Sequence, residues 1–126
     1  MQVRSLIVNV NSADPERLSA FYRETVKLPP AEGMGPGAFT LGGENATFII
    51  DGHSEVSGKN TQAPRTLINF GVEDAAAETA RLEAAGVPCL RKLGKEYWGG
   101  IISTFTDPDG NYFQVLQFDP SAAVPE

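Results

Sequence analysis

The chain contains the same order of strand and helix signals twice, and this repetition limits its fold more than any other feature. Each half begins with alternating apolar residues, continues with an amphipathic helix and ends in short strands. The predicted strands cover residues 3–10, 38–41, 46–51, 66–72, 87–93, 101–106 and the stretch from 112 to 118. Because both copies keep the same strand–helix phase, the pattern predicts two modules of one kind.

Capping and stop signals bound the two predicted helices. Ser12 or Asp14 can cap the first helix, and Pro15 suits its first turn. Asp74 can cap the second helix, and Gly86 is placed to end it. The first helix is expected to bury a stripe of residues at helical spacing: Leu18, Phe21, Tyr22 and Val26.

A tight turn from residue 107 to residue 111 is the most specific single motif. Pro108 presets φ for a turn, and Gly110 supplies the positive φ that the reversal needs. We therefore assign Asp107 and Asp109 to turn chemistry and not to a catalytic pair. Alternation after the turn places three residues on one face of the last strand: Tyr112, Gln114 and Leu116.

These features resemble the vicinal oxygen chelate superfamily, which includes glyoxalase I, extradiol dioxygenases, fosfomycin-resistance enzymes and bleomycin-resistance binding proteins. The resemblance covers residues 3–118 and is supported by short motifs: Phe21-Tyr22, Val72-Glu73-Asp74, Ala84-Ala85-Gly86-Val87 and Trp98-Gly99-Gly100. It implies an α+β fold in which two βαβββ modules form a cup-shaped mixed sheet with helices outside.

The length of 126 residues predicts a single domain of this kind, spanning residues 1–126. Within it we expect module one at 3–51, a polar linker at 52–64, module two at 65–118 and a loose tail at 119–126.

Enzymes of the superfamily hold a divalent ion with His and Glu from four equivalent strand positions. The resemblance and the strand phase place three of these positions at Ser5, Leu67 and Gln114. Overlaying the turn at residues 43–45 on the turn at residues 109–111 places the fourth at Phe48. This set contains no imidazole and no carboxylate, which divalent metals require. A register slip of one residue brings in no better ligand, so we predict a cup without metal and without other cofactors.

His53 is the only histidine, and it lies in the polar linker. One interpretation is a solvated loop side chain without an orienting partner. The alternative is that the linker folds over the cup as a lid, with Asp51 or Glu55 orienting His53. Cys89 has no adjacent histidine and is expected to be a buried, unreactive thiol.

The residues expected to face the ligand form an apolar, partly aromatic wall with a few neutral hydrogen-bonding groups, as in many small-molecule pockets. Trp98 is expected at the rim, either as a stacking wall or as a structural aromatic. The predicted ligand-binding residues are Ser5, Ile7, Asn9, Phe48, Ile50, Leu67, Asn69, Trp98, Tyr112 and Gln114. Leu116 is expected on the same wall. No catalytic residue is predicted.

These expectations favour a metal-free binding protein of the glyoxalase/bleomycin-resistance type that sequesters an aromatic or amphipathic molecule, with antibiotics among the candidates. The alternative is a glyoxalase-like lyase or dioxygenase-related enzyme that works without metal or recruits one through His53. A third interpretation is a regulatory or structural subunit with a filled, vestigial cavity, in which the inward amides bond to one another.

Composition limits partners and location. The formal charge of −6 argues against nucleic acid, whose backbone requires a basic surface. No apolar run reaches the roughly 20 residues of a membrane span, and the first residues lack a signal-peptide core. With Cys89 as the single cysteine, a cytoplasmic protein is expected. The resemblance implies a homodimer.

Overall fold

A computed structural model of the chain describes residues 1–43 and 45–118. These residues form two compact units, and the boundary between Lys59 and Asn60 falls inside the predicted linker. The predicted tail at 119–126 lies outside the described residues.

The first unit contains a helix and a mixed sheet. Its elements are β1 (Leu6–Ser12), α1 (Pro15–Ala20) with a π-helical continuation (Phe21–Val26), β2 (Ala38–Leu41) and β3 (Ala46–Gly52). The strand order is β1-β3-β2, in which β3 is parallel to β1 and antiparallel to β2.

The second unit repeats this plan with one more strand. A 3-10 turn (Ala63–Arg65) precedes β4 (Ile68–Gly71), α2 (Ala75–Ala84), β5 (Cys89–Lys95), β6 (Gly100–Thr106) and β7 (Tyr112–Phe118). The order is β4-β7-β6-β5, with β4 parallel to β7 and the other pairs antiparallel. Within the described residues, the predicted α+β class is confirmed, and the strands form two mixed sheets.

Over residues 1–43 and 45–59, the first module has no full counterpart of β5. In its place a single bridge joins Pro30 to Phe39 on the outer side of β2. The Ala31 amide donates to the Ala38 carbonyl at 2.9 Å, and the Thr40 amide donates to Pro29 at 3.0 Å. Because proline has no N–H to donate, the segment around Pro29 and Pro30 cannot extend this pairing into a strand.

The predicted caps are confirmed in both helices. The Asp14 side chain accepts from the Arg17 amide at 3.2 Å, and the Asp74 side chain accepts from the Ala77 amide at 3.0 Å. The first helix differs from its prediction because it continues as a π-helix and ends at Lys27 in the left-handed conformation. In the part of the chain that the structure describes, neither helix has the length and hydropathy needed to cross a bilayer.

Strand ends differ from the sequence pattern where pairing partners decide them. β1 starts at Leu6 because Leu6 is the first residue aligned with β3, opposite Ala46. β5 runs on to Lys95, beyond the predicted end at Leu93, through register shifts on either side of Arg91. Such shifts are properties of the strand pair, so the alternation within one strand does not reveal them.

Aromatic residues form the core of each unit between its helix and its sheet. In the first unit, the Tyr22 and Phe48 rings lie 5.0 Å apart and both residues are buried. In the second, Phe105 and Phe113 stack at 5.7 Å, and both are fully buried. Leu18, Phe39 and Leu82 complete these cores.

The sequence-based assignment of Phe48 and Ile50 to the ligand-facing wall is wrong. Both residues are buried on the side of β3 that faces α1, opposite Val8 and Val10 of β1. Phe48 pairs with Phe39 as Phe113 pairs with Phe105. The segment between Phe39 and Phe48 is one residue longer than the segment between Phe105 and Phe113. Aligning the two turns therefore shifted the predicted register of β3 by one residue.

Candidate ligand-binding face

The second sheet has one face under α2 and one face turned away from it, which we name the open face. The side of α2 is marked by Thr79, whose hydroxyl lies 2.8 Å from that of Ser103. Ser103 is aligned with the buried Val115 of β7, so the alternate residues of β7 lie on the open face. The open face therefore carries Tyr112, Gln114, Leu116 and Phe118 of β7, as the alternation predicts.

A polar row crosses the middle of the open face. Gln114 is aligned with Asn69 on one side and with Thr104 on the other, and Thr104 is aligned with Arg91. The Gln114 amide nitrogen donates to the Thr104 hydroxyl at 3.0 Å, while the Gln114 carbonyl oxygen has no partner among the described residues. This oxygen and the exposed Asn69 amide can hydrogen-bond to a ligand.

An aromatic corner lies at the end of the same face. A Cβ on Gly100 would overlap the Trp98 ring, so the indole covers this glycine on the open face. The rings of Trp98 and Phe118 lie 5.9 Å apart in a T-shaped arrangement. Trp98 is 40% exposed and Phe118 is 69% exposed, so both rings can contact another molecule.

A charged pair lies at the β5 edge. The Arg91 guanidinium forms an ion pair with Glu96, and it lies about 4.0 Å from where a Cβ on Gly94 would be. Sequence reasoning missed Arg91, Thr104 and Phe118 as residues of this face. The residues of β6 are apolar or small on both of its faces, so the sequence pattern did not indicate which of them lie on the open face.

The predicted residues of the first module lie on their own unit. Ile7 and Asn9 are exposed on the side of the first sheet opposite the buried Phe48. Ser5 lies just before β1 and is exposed, and Leu67 lies just before β4 of the second unit and is 44% exposed. The structure therefore brings Asn69, Trp98, Tyr112 and Gln114 onto one face of the second sheet.

A family model described as the Glyoxalase/Bleomycin resistance protein/Dioxygenase superfamily matches residues 5–115. The chain belongs to this superfamily. No curated protein sequence matches it.

Solved structures in the superfamily share the fold of this member at low sequence identity. TnmS3, an antibiotic binding protein from Streptomyces sp. CB03234, is 23% identical, with a TM-score of 0.69 over 94% of this chain and 97% of its own. A lactoylglutathione lyase from Agrobacterium tumefaciens is 18% identical, with a TM-score of 0.66 and coverages of 89% and 91%. A superfamily member from Sphaerobacter thermophilus DSM 20745 is 17% identical, with a TM-score of 0.69 and coverages of 90% and 95%.

The side chains at the positions equivalent to the metal ligands of the superfamily's enzymes are unsuited to a divalent metal in this protein. With the corrected register, Ile49 replaces Phe48 as the counterpart of Gln114, and it also lacks a ligand atom. Over residues 1–43 and 45–118, no group of three or more His, Cys, Asp or Glu could hold a metal ion. Hydroxyl, amide and aliphatic groups alone are poor ligands for a divalent cation.

His53 belongs to a turn in the linker of this superfamily member. Its Nδ1 accepts from the Glu55 backbone amide at 3.1 Å, and its carbonyl accepts from the Val56 amide at 3.0 Å. The Asp51 carboxylate accepts from the Gly52 amide at 2.8 Å. Within the described residues, the partner of the imidazole is thus backbone, and not the carboxylate that the lid alternative requires.

Cys89 is expected to react slowly with alkylating reagents. Cys89 is only partly buried, unlike the expectation from sequence. This partial burial raises the pKa of its thiol, and the nearby Glu83 carboxylate raises it further. Because the thiolate is the nucleophile, iodoacetamide at pH 8 should modify Cys89 several-fold more slowly than it modifies the thiol of free glutathione. Mass spectrometry of the intact protein measures the rate, and Glu83→Gln should increase it. Modification at the rate of glutathione in the native protein would contradict this expectation.

Proposed function

We propose that the protein binds and sequesters a small aromatic or amphipathic molecule on the open face of the second sheet, without metal and without catalysis. The observation that carries this proposal is the combination of an aromatic corner and a polar row on one face. Trp98 and Phe118 offer ring surface, and Gln114 offers a carbonyl oxygen that has no partner among the described residues. Aromatic walls with a few placed polar groups are typical of ligand sites.

The spacing of these groups favours an elongated ligand. Gln114 and Phe118 lie four positions apart on β7, which corresponds to roughly 13 Å along a strand. Between them lies the apolar, half-buried Leu116, which is aligned with the buried Ile102. A molecule with a planar ring system at one end and hydrogen-bonding groups at the other would match this order.

An antibiotic is the ligand class that we favour within this proposal. The support is the fold likeness to TnmS3, which is an antibiotic binding protein. The sequence expectation of a bleomycin-resistance type of protein agrees with the same class. We also propose that the protein acts as a cytoplasmic homodimer, in keeping with the superfamily resemblance.

The second candidate function is a glyoxalase-like lyase, which the likeness to a lactoylglutathione lyase favours. A lyase of this type needs a group that moves a proton at the reacting carbon. At the β5 edge of this sheet, the carboxylate of Glu96 is engaged by Arg91. We therefore rank sequestration above catalysis.

A thermal-shift screen with aromatic antibiotics and metabolites tests the proposed site. A ligand at one hundred times its dissociation constant should add about 2.7 kcal/mol to the free energy of unfolding. Trp98→Ala and Gln114→Ala should each remove most of this increase because each deletes a proposed contact. Tyr97→Ala is the matched control, since Tyr97 is the adjacent aromatic and is 82% exposed.

Two results would contradict the proposal. One is a ligand whose stabilisation survives both Trp98→Ala and Gln114→Ala. The other is stoichiometric zinc, nickel, manganese or iron in the purified protein, measured by plasma mass spectrometry and lost in His53→Ala, which would favour the enzyme.

A further inference from the structure

A concave site lies in the first unit, lined only by residues of that unit. It is a groove of about 510 Å³ beside α1, within the usual size range of small-molecule sites. One wall is a stripe of the helix that includes Pro15, Ser19 and Arg23, which are spaced four residues apart and share a face. The other wall is formed by residues 34–37 and the end of β3.

Ser19 contributes a polar side chain to the lining of this groove. The residue is 5% exposed and lines the groove, yet its hydroxyl has no hydrogen-bond partner among residues 1–43 and 45–118. Among the described residues, no buried side-chain nitrogen or oxygen lacks a partner, so the Ser19 hydroxyl oxygen must be accessible from the groove. The Ser19 hydroxyl is therefore available to a molecule that enters the groove.

Gly37 holds the opposite wall close to the helix. A Cβ at this position would lie 2.6 Å from the Ile50 carbonyl oxygen and 3.0 Å from the Ser19 hydroxyl. The Ile50 amide donates to the Gly37 carbonyl at 2.7 Å, and Arg23 donates to the Pro36 carbonyl at 3.1 Å. The wall is thus tied to β3 and to the helix, and the groove is formed before any ligand arrives.

The charges that line the groove favour a cation. Glu16 and Asp51 contribute two exposed carboxylates. The single basic residue of the lining, Arg23, is engaged by the Pro36 carbonyl and lies 3.6 Å from Glu24. Met34 and Pro36 add apolar surface beside these groups.

We propose that this groove is a binding site for a small amphipathic cation, such as an aryl amidine or an arylalkyl amine. The ammonium or amidinium group is placed at the Asp51 and Glu16 carboxylates, with a hydrogen bond to the Ser19 hydroxyl. The apolar part contacts Met34 and Pro36. This site lies on the α1 side of the first sheet and is independent of the function proposed above.

Titration of the full chain with benzamidine, followed by two-dimensional ¹H–¹⁵N NMR, tests this site. Saturable shifts are expected for the amides of Ser19, Gly37 and Asp51. Asp51→Asn and Glu16→Gln should each weaken binding about tenfold, because each removes a charge-assisted contact. Ser19→Ala should weaken it about threefold, as expected for loss of one neutral hydrogen bond.

The controls separate this site from a general attraction to an acidic protein. Glu55→Gln removes the same charge from an exposed linker position, and it should leave the affinity for benzamidine unchanged. Benzyl alcohol and benzoate, which keep the ring without the positive charge, should bind at least tenfold more weakly than benzamidine. Equal binding of benzoate, unchanged affinity in Asp51→Asn and Glu16→Gln, or shifts confined to residues outside the groove would each overturn the proposal.

Discussion

Phe48→Ala is expected to lower the free energy of unfolding by about 3–5 kcal/mol, as for other buried aromatic residues. Phe48 is 2% exposed and its ring packs against those of Tyr22 and Phe39, so the truncation leaves a cavity between α1 and the first sheet. Urea denaturation followed by circular dichroism measures the change. This result would test the register of β3 directly, because it places Phe48 in the core.

Ile49 provides the matched control for this substitution. It is the next residue along β3, it points to the other side of the sheet, and it is only half-buried. Ile49→Ala should therefore cost less than about 1.5 kcal/mol, because little of its side chain leaves a cavity. If Ile49→Ala were the more damaging of the two, the register of β3 would be the one that sequence alignment of the turns suggested.

Asp107→Ala is expected to destabilise the protein by about 2–4 kcal/mol, since three part-buried N–H groups would lose a charged acceptor. Asp107 is 4% exposed, and its carboxylate accepts from the amides of Asp109 and Asn111 and from the Asn111 side chain. The Asn111 side chain in turn accepts from Asn60 at the end of the linker. Urea denaturation gives the loss of stability, and hydrogen exchange should show faster opening near Asn60.

Asp109→Ala is the control for this turn. The structure gives Asp109 backbone contacts to Asp107 and Asn60, and these survive removal of its side chain. A change below about 0.5 kcal/mol is expected, as for most surface substitutions. Asp107→Asn should fall between the two alanine variants because it keeps one acceptor oxygen. Equal losses for Asp107→Ala and Asp109→Ala would refute the structural role of the Asp107 carboxylate.

The features that sequence predicts well are local ones. Asp14 and Asp74 cap their helices because the cap and the amide that it accepts from lie within three residues. The turn after Asp107 and the alternation of β7 also depend on neighbouring residues, and both match the structure. The placement of Gln114 on the face opposite α2 follows from this alternation alone.

The features that sequence misses depend on distant partners. The face of Phe48 is set by pairing with β1 and β2, and a one-residue difference in turn length was enough to reverse it. The π-helical continuation covers only Phe21–Val26. Over so few residues, the spacing of apolar side chains does not distinguish a π-helix from an α-helix. The groove at Ser19 arises from contacts between α1, Gly37 and β3, which no single segment encodes.

The prolines beside β2 bear on self-association in crowded solution. A sheet edge with free N–H and C=O groups can template another chain, which is a common start of aggregation. At β2 that edge is occupied by a segment that contains Pro29 and Pro30, whereas β5 has irregular pairing and carries Arg91, Lys92 and Lys95. The two modules thus limit pairing at these edges in different ways, one by missing donors and the other by distortion and charged side chains.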